Sequence, residues 1–270
     1  MRILFLGGGN MANALIGGML NQGFEAEEIH VIDPGSEARA KLTATYGVRC
    51  YSAAGEAPAS PDVLILAVKP QQMKEAVAAL NEKLGQALVI SIAAGLDMNT
   101  LSRFLGGHGK IVRCMPNTPA LIGAGVTGLC ARPGVSAEER ATADRVLRAV
   151  GSTVWIADES QMDAVTAVSG SGPAYVFLFI EALQQAAGEL GLTPEQGRKL
   201  AIETVQGAAA LAAHSEEAAS TLRERVTSKG GTTEAALRVM TESGVKEGII
   251  AGVKAAEARG QELGKILGAD

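Results

Sequence analysis

Over its first 157 residues the chain alternates short β-rich apolar runs with stretches of helical spacing. The apolar runs fall at 2–6, 29–33, 63–68, 87–92, 110–114 and 125–130, with a last one at 153–156. Between most of them lie helix-period segments at 10–22, 36–46, 71–83, 97–105 and 136–149. Strands that alternate with helices in this way predict a parallel sheet covered by helices on both faces. After Trp155-Ile156-Ala157 the strand signals stop, and 161–268 reads as helix throughout. Thr193-Pro194-Glu195-Gln196 marks one helix start there, with Thr as cap, Pro at the first helical position and Gln three residues on. The pattern predicts an α/β domain over 1–157 and an all-α domain over 158–270.

The helices of the second half carry small and apolar residues on more than one face, as in Gln206-Gly207-Ala208-Ala209-Ala210-Leu211-Ala212-Ala213. A solvated helix shows one apolar stripe and a charged back. Two readings fit: close packing against a second copy of the same domain, or burial of a central helix within one monomer. Taken over the whole set of helices, the pattern favours a dimer.

Composition narrows the function. The 33 glycines follow no three-residue period, which excludes a collagen-like fibre, and 47% hydrophobic against 20% charged residues excludes a disordered chain. A net charge of −5 and only nine aromatic residues point away from a nucleic-acid partner. No basic cluster suggests a membrane surface, and charge or glycine interrupts each long apolar stretch short of a span. Met1-Arg2 leads straight into a short strand, not a signal-peptide core. The three cysteines and three histidines are scattered, which argues against a metal site and for a reduced, cytoplasmic setting.

Chemistry enters with Gly7-Gly8-Gly9-Asn10-Met11-Ala12, placed between the first strand and a helix. Gly7 permits a tight turn, Gly9 lets backbone approach a pyrophosphate, and Ala12 lets the helix pack closely on the strand. The helix N-terminus, with the N–H groups of Asn10 and Met11, then faces the phosphates. With Asp33 closing the second strand, the context is that of a Rossmann-type dinucleotide site. Asp33 either accepts a ribose 2′-hydroxyl, which favours NADH, or is a turn residue before Pro34; Arg39 offsets its charge toward a 2′-phosphate if it turns inward. Two further loops end strands at the same edge: Ala67-Val68-Lys69-Pro70 and Ala93-Ala94-Gly95. Their small residues let backbone lie against a cofactor, while Lys69 either pairs with a phosphate or is solvated. Asn117, after the 110–114 strand, offers an uncharged amide to nicotinamide or substrate.

Two hydroxyl-rich, glycine-broken segments complete the set. Ser169-Gly170-Ser171-Gly172-Pro173-Ala174 is a helix junction with free hydroxyls and N–H groups, and Thr227-Ser228-Lys229-Gly230-Gly231-Thr232-Thr233 leads into a helix. Consecutive donors at a helix start suit a carboxylate, although each hydroxyl taken singly reads as a helix cap.

These motifs, together with Met115-Pro116-Asn117-Thr118-Pro119, Asp163-Ala164-Val165-Thr166 and Ala235-Ala236-Leu237, make the chain resemble pyrroline-5-carboxylate reductase over essentially its full length. The resemblance implies a Rossmann-type N-terminal domain followed by an all-α C-terminal dimerisation domain, hence a homodimer that can assemble further. It implies reduction of L-1-pyrroline-5-carboxylate to L-proline by hydride transfer, with NADPH usual and NADH often accepted. It places the substrate carboxylate on Gly230, Gly231, Thr232 and Thr233, with Glu159 and Thr166 lining the same pocket. Two positions depart from the family pattern: Lys229 replaces a common proline, and Ala54 replaces an asparagine near the adenosine ribose.

An imine suits these residues better than a ketone. Ketone reduction develops alkoxide charge and calls for a positioned acid. The helix after the glycine-rich segment reads Tyr175-Val176-Phe177-Leu178-Phe179-Ile180, without lysine or histidine. A protonated cyclic imine needs only proximity, a hydride face and an anchor. Thr233 is then expected to bond the ring nitrogen and Ser171 to orient the ring. A related reductase of another small imino or keto acid, and a dinucleotide sensor without chemistry, are the alternatives.

Overall fold

The computed structural model describes residues 1–80 and 83–268. Two compact units divide the chain: residues 1–171 together with 255–270, and residues 172–254.

The first unit is built on an eight-stranded sheet. Its strands are β1 (Ile3–Leu6), β2 (Ile29–Ile32), β3 (Arg49–Tyr51), β4 (Val63–Leu66), β5 (Leu88–Ser91), β6 (Ile111–Met115), β7 (Gly125–Ala131) and β8 (Gly151–Trp155), in the order β3-β2-β1-β4-β5-β6-β7-β8. All neighbours run parallel except β6 and β7, which are antiparallel. This corrects the wholly parallel sheet expected from the alternation. Residues 116–124, between β6 and β7, hold a 3₁₀ turn and no crossover helix, and a parallel return requires about a dozen residues or more. β3 was not expected at all; it is three residues long, and its outward-facing pattern carries no apolar run.

Successive strand residues point to opposite faces, so each buried strand feeds two cores. Ile3 and Phe5 of β1 meet Leu15, Ile16 and Met19 of α1 (Asn10–Asn21) and Val146 of α5 (Ala137–Leu147). Leu4 and Leu6 meet Met73 and Val77 of α3 (Met73–Ala78) and Leu101 of α4 (Met98–Phe104). The helix α2 (Ser36–Tyr46) packs Leu42 into the first of these cores. Of the helix expected over 71–83, Pro70–Gln72 is a 3₁₀ turn leading into α3, and positions 81 and 82 lie outside the described residues.

The compact units divide at a different point from the change of pattern along the chain. The strand signals do stop near residue 157, but the segment after them stays in the first unit. There α6 (Met162–Val165) and the π-helical turn Thr166–Gly170 bury Met162 and Ala167. Only at Gly172 does the second unit begin. At the other end, residues 255–268 return to the first unit: Leu267 lies against Gly95, and Arg103 Nη2 donates to the Gly268 carbonyl at 3.0 Å.

The second unit contains α7 (Gly172–Glu189), α8 (Pro194–Ala213), α9 (Ala219–Arg225), α10 (Thr232–Glu242) and the first part of α11 (Val245–Gly268). The capping box before α8 forms as the sequence predicts: Gln196 N donates to Thr193 Oγ1 at 3.3 Å, and Thr193 N to Gln196 Oε1 at 2.9 Å. Gly197 keeps α7 and α8 close, since a Cβ there would sit 3.0 Å from Ala187 Cβ. Phe177, Leu178, Val239, Ile249 and Ile250 are exposed. The helical run Glu159–Glu189 is long and apolar enough to cross a membrane by length and composition, contrary to the expectation that its glycines break it. The backbone stays helical through Gly170 because the π turn absorbs the break.

One buried ion pair locks the first unit. Arg113 Nη1 on β6 lies 3.1 Å from Glu159 Oε1, which also accepts the Met98 N–H at 2.7 Å. The Arg113 side chain is 7% exposed and that of Glu159 22%. Glu159→Ala is expected to cost about 2–3 kcal/mol, toward the lower end for a broken buried pair because Glu159 keeps some solvent. Urea denaturation measures it; a loss under about 0.5 kcal/mol is incompatible with the burial of Arg113.

Candidate functional site

The C-terminal ends of β1, β2, β4, β5 and β6 bring Gly7–Gly9, Asp33, 67–70, 93–95 and 115–117 to one edge of the sheet. Gly7 has φ +102°, in the left-handed region, and donates its N–H to Ile32 O at 2.8 Å. A Cβ at Gly7 would lie 2.7 Å from Ala67 O, so the turn is closed to any larger residue. Gly9 caps α1 without a side-chain partner, and a Cβ there would meet no atom within 4 Å. That open space, over a helix N-terminus with exposed Asn10, fits a pyrophosphate. Met11 packs against the apolar core beneath this turn. A cavity of about 260 Å³ begins beside it, lined by Gly8, Gly9, Asn10 and Asn13 on one side and by Glu37 and Lys41 on the other. Oδ1 of Asn13 is the one buried side-chain polar atom without a partner among the described residues.

Asp33 is held by backbone. Its Oδ2 accepts from Gly8 N and its Oδ1 from Gly35 N, both at 2.7 Å. Arg39 does turn toward this loop, donating Nη1 to Asp33 O at 2.7 Å and to Pro34 O at 2.8 Å. A cation thus stands where the sequence left its direction open. Ala67 N donates to Leu6 O at 2.8 Å, fixing the start of the 67–70 loop, with Val68 half-buried, Lys69 exposed and Pro70 opening the next turn. Ala93 is buried, Ala94 exposed, and Gly95 has φ +77°.

The π turn joins this edge. A Cβ on Gly170 would lie 2.8 Å from Met115 Cε, so the turn sits directly on the end of β6. Ser171 N donates to Thr166 O at 2.8 Å, the Thr166 hydroxyl to Met162 O and the Ser169 hydroxyl to Val165 O. These bonds satisfy Thr166 and Ser169 locally, whereas the Ser171 hydroxyl has no bond within the chain among the described residues. Asn117, expected to face the nicotinamide, is 9% exposed: its Nδ2 donates to Ser169 O at 3.2 Å and its Oδ1 accepts from Val126 N at 3.0 Å. Glu159 accepts from Arg113 Nη1 and Met98 N through Oε1.

Few ionisable groups stand among these loops. Their titratable side chains are Asp33 and Lys69. His30 lies inside β2, paired with Tyr51 Oη at 2.9 Å, and burial together with Arg49 lowers its pKa. Burial raises the thiols of Cys114 and Cys130, which keeps both protonated and unreactive.

In the second unit Gly230, Gly231, Thr232 and Thr233 form the start of α10. Gly230 has φ +74°, and Gly231 is the cap residue and uses no side chain. Glu234 Oε2 accepts from Gly230 N at 2.6 Å, and Ser228 O accepts from Gly231 N at 3.0 Å. The N–H groups of Thr232 and Thr233 keep no acceptor among the described residues, an arrangement that receives an anion. Sequence reasoning missed the Glu234 cap; an acidic residue in the first turn was the available signal.

Two family models match separate stretches of the chain. Residues 2–95 match the family described as NADP oxidoreductase, coenzyme F420-dependent, and residues 159–263 match pyrroline-5-carboxylate reductase dimerisation. Among curated relatives, the pyrroline-5-carboxylate reductase of Pseudomonas aeruginosa is 46% identical, covering 99% of this chain and 98% of that protein. The protein of the same name from Haemophilus influenzae is 44% identical, covering 97% of each. Of solved structures, the Coxiella burnetii pyrroline-5-carboxylate reductase superposes with a TM-score of 0.92 at 39% identity, covering 97% of this chain and 98% of that one. The Plasmodium falciparum enzyme, solved with NADP bound, gives 0.87 at 29% identity and covers 98% of both chains. With relatives this similar along its whole length, the chain belongs to the pyrroline-5-carboxylate reductase family.

Proposed function

We propose that the chain reduces L-1-pyrroline-5-carboxylate to L-proline, with NADPH as its main reductant and NADH also accepted. The observation that carries this reading is a nucleotide-shaped sheet edge that offers hydroxyls and amides but no proton donor tuned for a ketone. When bound, the nicotinamide supplies a hydride. In a protonated cyclic imine the C=N carbon accepts that hydride, and the π electron pair returns to nitrogen, so positive charge disappears and no acid is required. The protein's work is then binding and orientation.

Gly7, Gly9 and the first turn of α1 would hold the pyrophosphate, and the 67–70 and 93–95 loops the faces of the cofactor. Arg39 supports NADPH, because a guanidinium beside the β2 turn offsets the charge of Asp33 for a 2′-phosphate. The open N–H groups of Thr232 and Thr233 suit the substrate carboxylate, with Thr233 Oγ1 bonding the ring nitrogen. Lys229, in the same turn, adds a cation near an anionic ligand. Ser171, with its hydroxyl uncommitted, orients the ring.

We also infer a homodimer in a cytoplasmic setting. Phe177, Leu178, Ile249 and Ile250 are too exposed for a lone domain, and an apolar groove of about 930 Å³ lined by Leu237, Met240, Ile249 and Ile250 accompanies them. A second copy covers such a surface without a bilayer.

Purified protein should consume reduced nicotinamide absorbance in the presence of pyrroline-5-carboxylate; no loss with either cofactor overturns the assignment. Arg39→Ala should raise the KM for NADPH about tenfold while leaving NADH within about twofold. Equal effects on both would remove Arg39 from the 2′-phosphate. Thr233→Ala should impair substrate use about tenfold and cofactor binding little, and equal damage to both would show the residue is misplaced. Light scattering should give at least twice the chain mass of 27.7 kDa.

A further inference from the structure

The π turn at 166–170 is an irregular piece of backbone held from outside. A π turn inserts an extra residue into a helix, satisfies its hydrogen bonds less regularly than an α-helix and occurs often beside functional sites. Besides the bonds its own hydroxyls make, the turn is held by close contacts and by a side-chain bond from β6. Gly170 meets Met115, and Val165 fits over Gly128, where any Cβ would lie 2.5 Å from Val165 Cγ1. The directional bond comes from Asn117, at the end of β6, whose amide reaches Ser169 O on one side and Val126 N on the other.

We propose that Asn117 is a positioning residue for the substrate: its side-chain amide ties the Ser169-Gly170-Ser171 turn to the β6 and β7 strands and so sets where the Ser171 hydroxyl stands. Both functional ends of the amide are engaged in this tie, and the residue is buried. A main-chain N–H at the start of β7 orients the amide, which in turn aims its N–H at the one carbonyl that precedes Gly170. The bond joins the antiparallel strand pair to the turn. Losing it removes that directional hold on the turn, in which Gly170 and Gly172, the residues that restrict backbone least, flank Ser171. This inference rests on the reading that Ser171 meets the substrate.

Asn117→Asp tests it, because the carboxylate keeps the shape of the amide and its acceptor for Val126 N–H. It places an oxygen against the Ser169 carbonyl in place of a donor. The expected result is a fall of about tenfold in kcat/KM for pyrroline-5-carboxylate, carried mainly by KM. The Kd for NADPH, titrated without substrate, should stay within about twofold. Asn117→Ser, smaller and uncharged, should show the same split and serves if the aspartate variant fails to fold. A Kd for NADPH that weakens in step with the substrate KM would make Asn117 a cofactor ligand and overturn the inference. Ser171→Ala, measured alongside, separates the two levels. If it leaves substrate KM unchanged, the underlying reading of Ser171 falls, and the inference with it. If it raises KM while both Asn117 variants behave as the parent, the reading stands and the positioning role is refuted.

Discussion

Asp33 closes β2 with both carboxylate oxygens spent on backbone donors, one on Gly8 and one on Gly35. That pair of bonds fixes the glycine turn against the end of the second strand, and the turn fixes where α1 begins. Gly7 must then lie on Ala67, which leaves the left-handed conformation and the absence of a Cβ as joint requirements. The open space over Gly9 follows from the same geometry. Both carboxylate oxygens of Asp33 accept from backbone N–H groups, while Arg39 donates to the carbonyls of Asp33 and Pro34 in the same loop.

The sheet edge explains why the chemistry needs few reactive side chains. Strand ends deliver backbone and small residues from five directions, and the π turn adds a sixth. Where a protonated ring is to be reduced, the requirement is exclusion of alternatives and a fixed approach, and packed backbone supplies both. The start of α10 belongs to the other compact unit, residues 172–254, whose exposed apolar helices lie within the dimerisation match over 159–263.

Much of this was readable from residue order. The strand-turn-helix context of Gly7, Gly9 and Ala12 named the nucleotide turn, and Thr193-Pro194 named a helix start, because both rest on local sterics and capping. The antiparallel step at β7 was harder, although the short link 116–124 with Pro116, Pro119 and Gly123 already lacked room for a crossover. β3 escaped because Arg49-Cys50-Tyr51 has no apolar period; its place is set by pairing with β2. The commitments of Glu159 and Asn117 could not be read at all. Each depends on partners far along the chain, Arg113 and Met98 for one, Ser169 and Val126 for the other. Sequence gives such residues a polar character but not the groups that consume it.

The two buried thiols carry a different kind of information. Cys114 belongs to the core on one face of the sheet and Cys130 to the core on the other, on the adjacent antiparallel strands β6 and β7. Protonated and shielded, they react with an alkylating reagent only in moments when those strands part. They are internal clocks for local opening, one for each layer of packing, set at the strand pair from which Asn117 reaches the turn. Their labelling rates would tell whether the two faces of the sheet breathe together or separately.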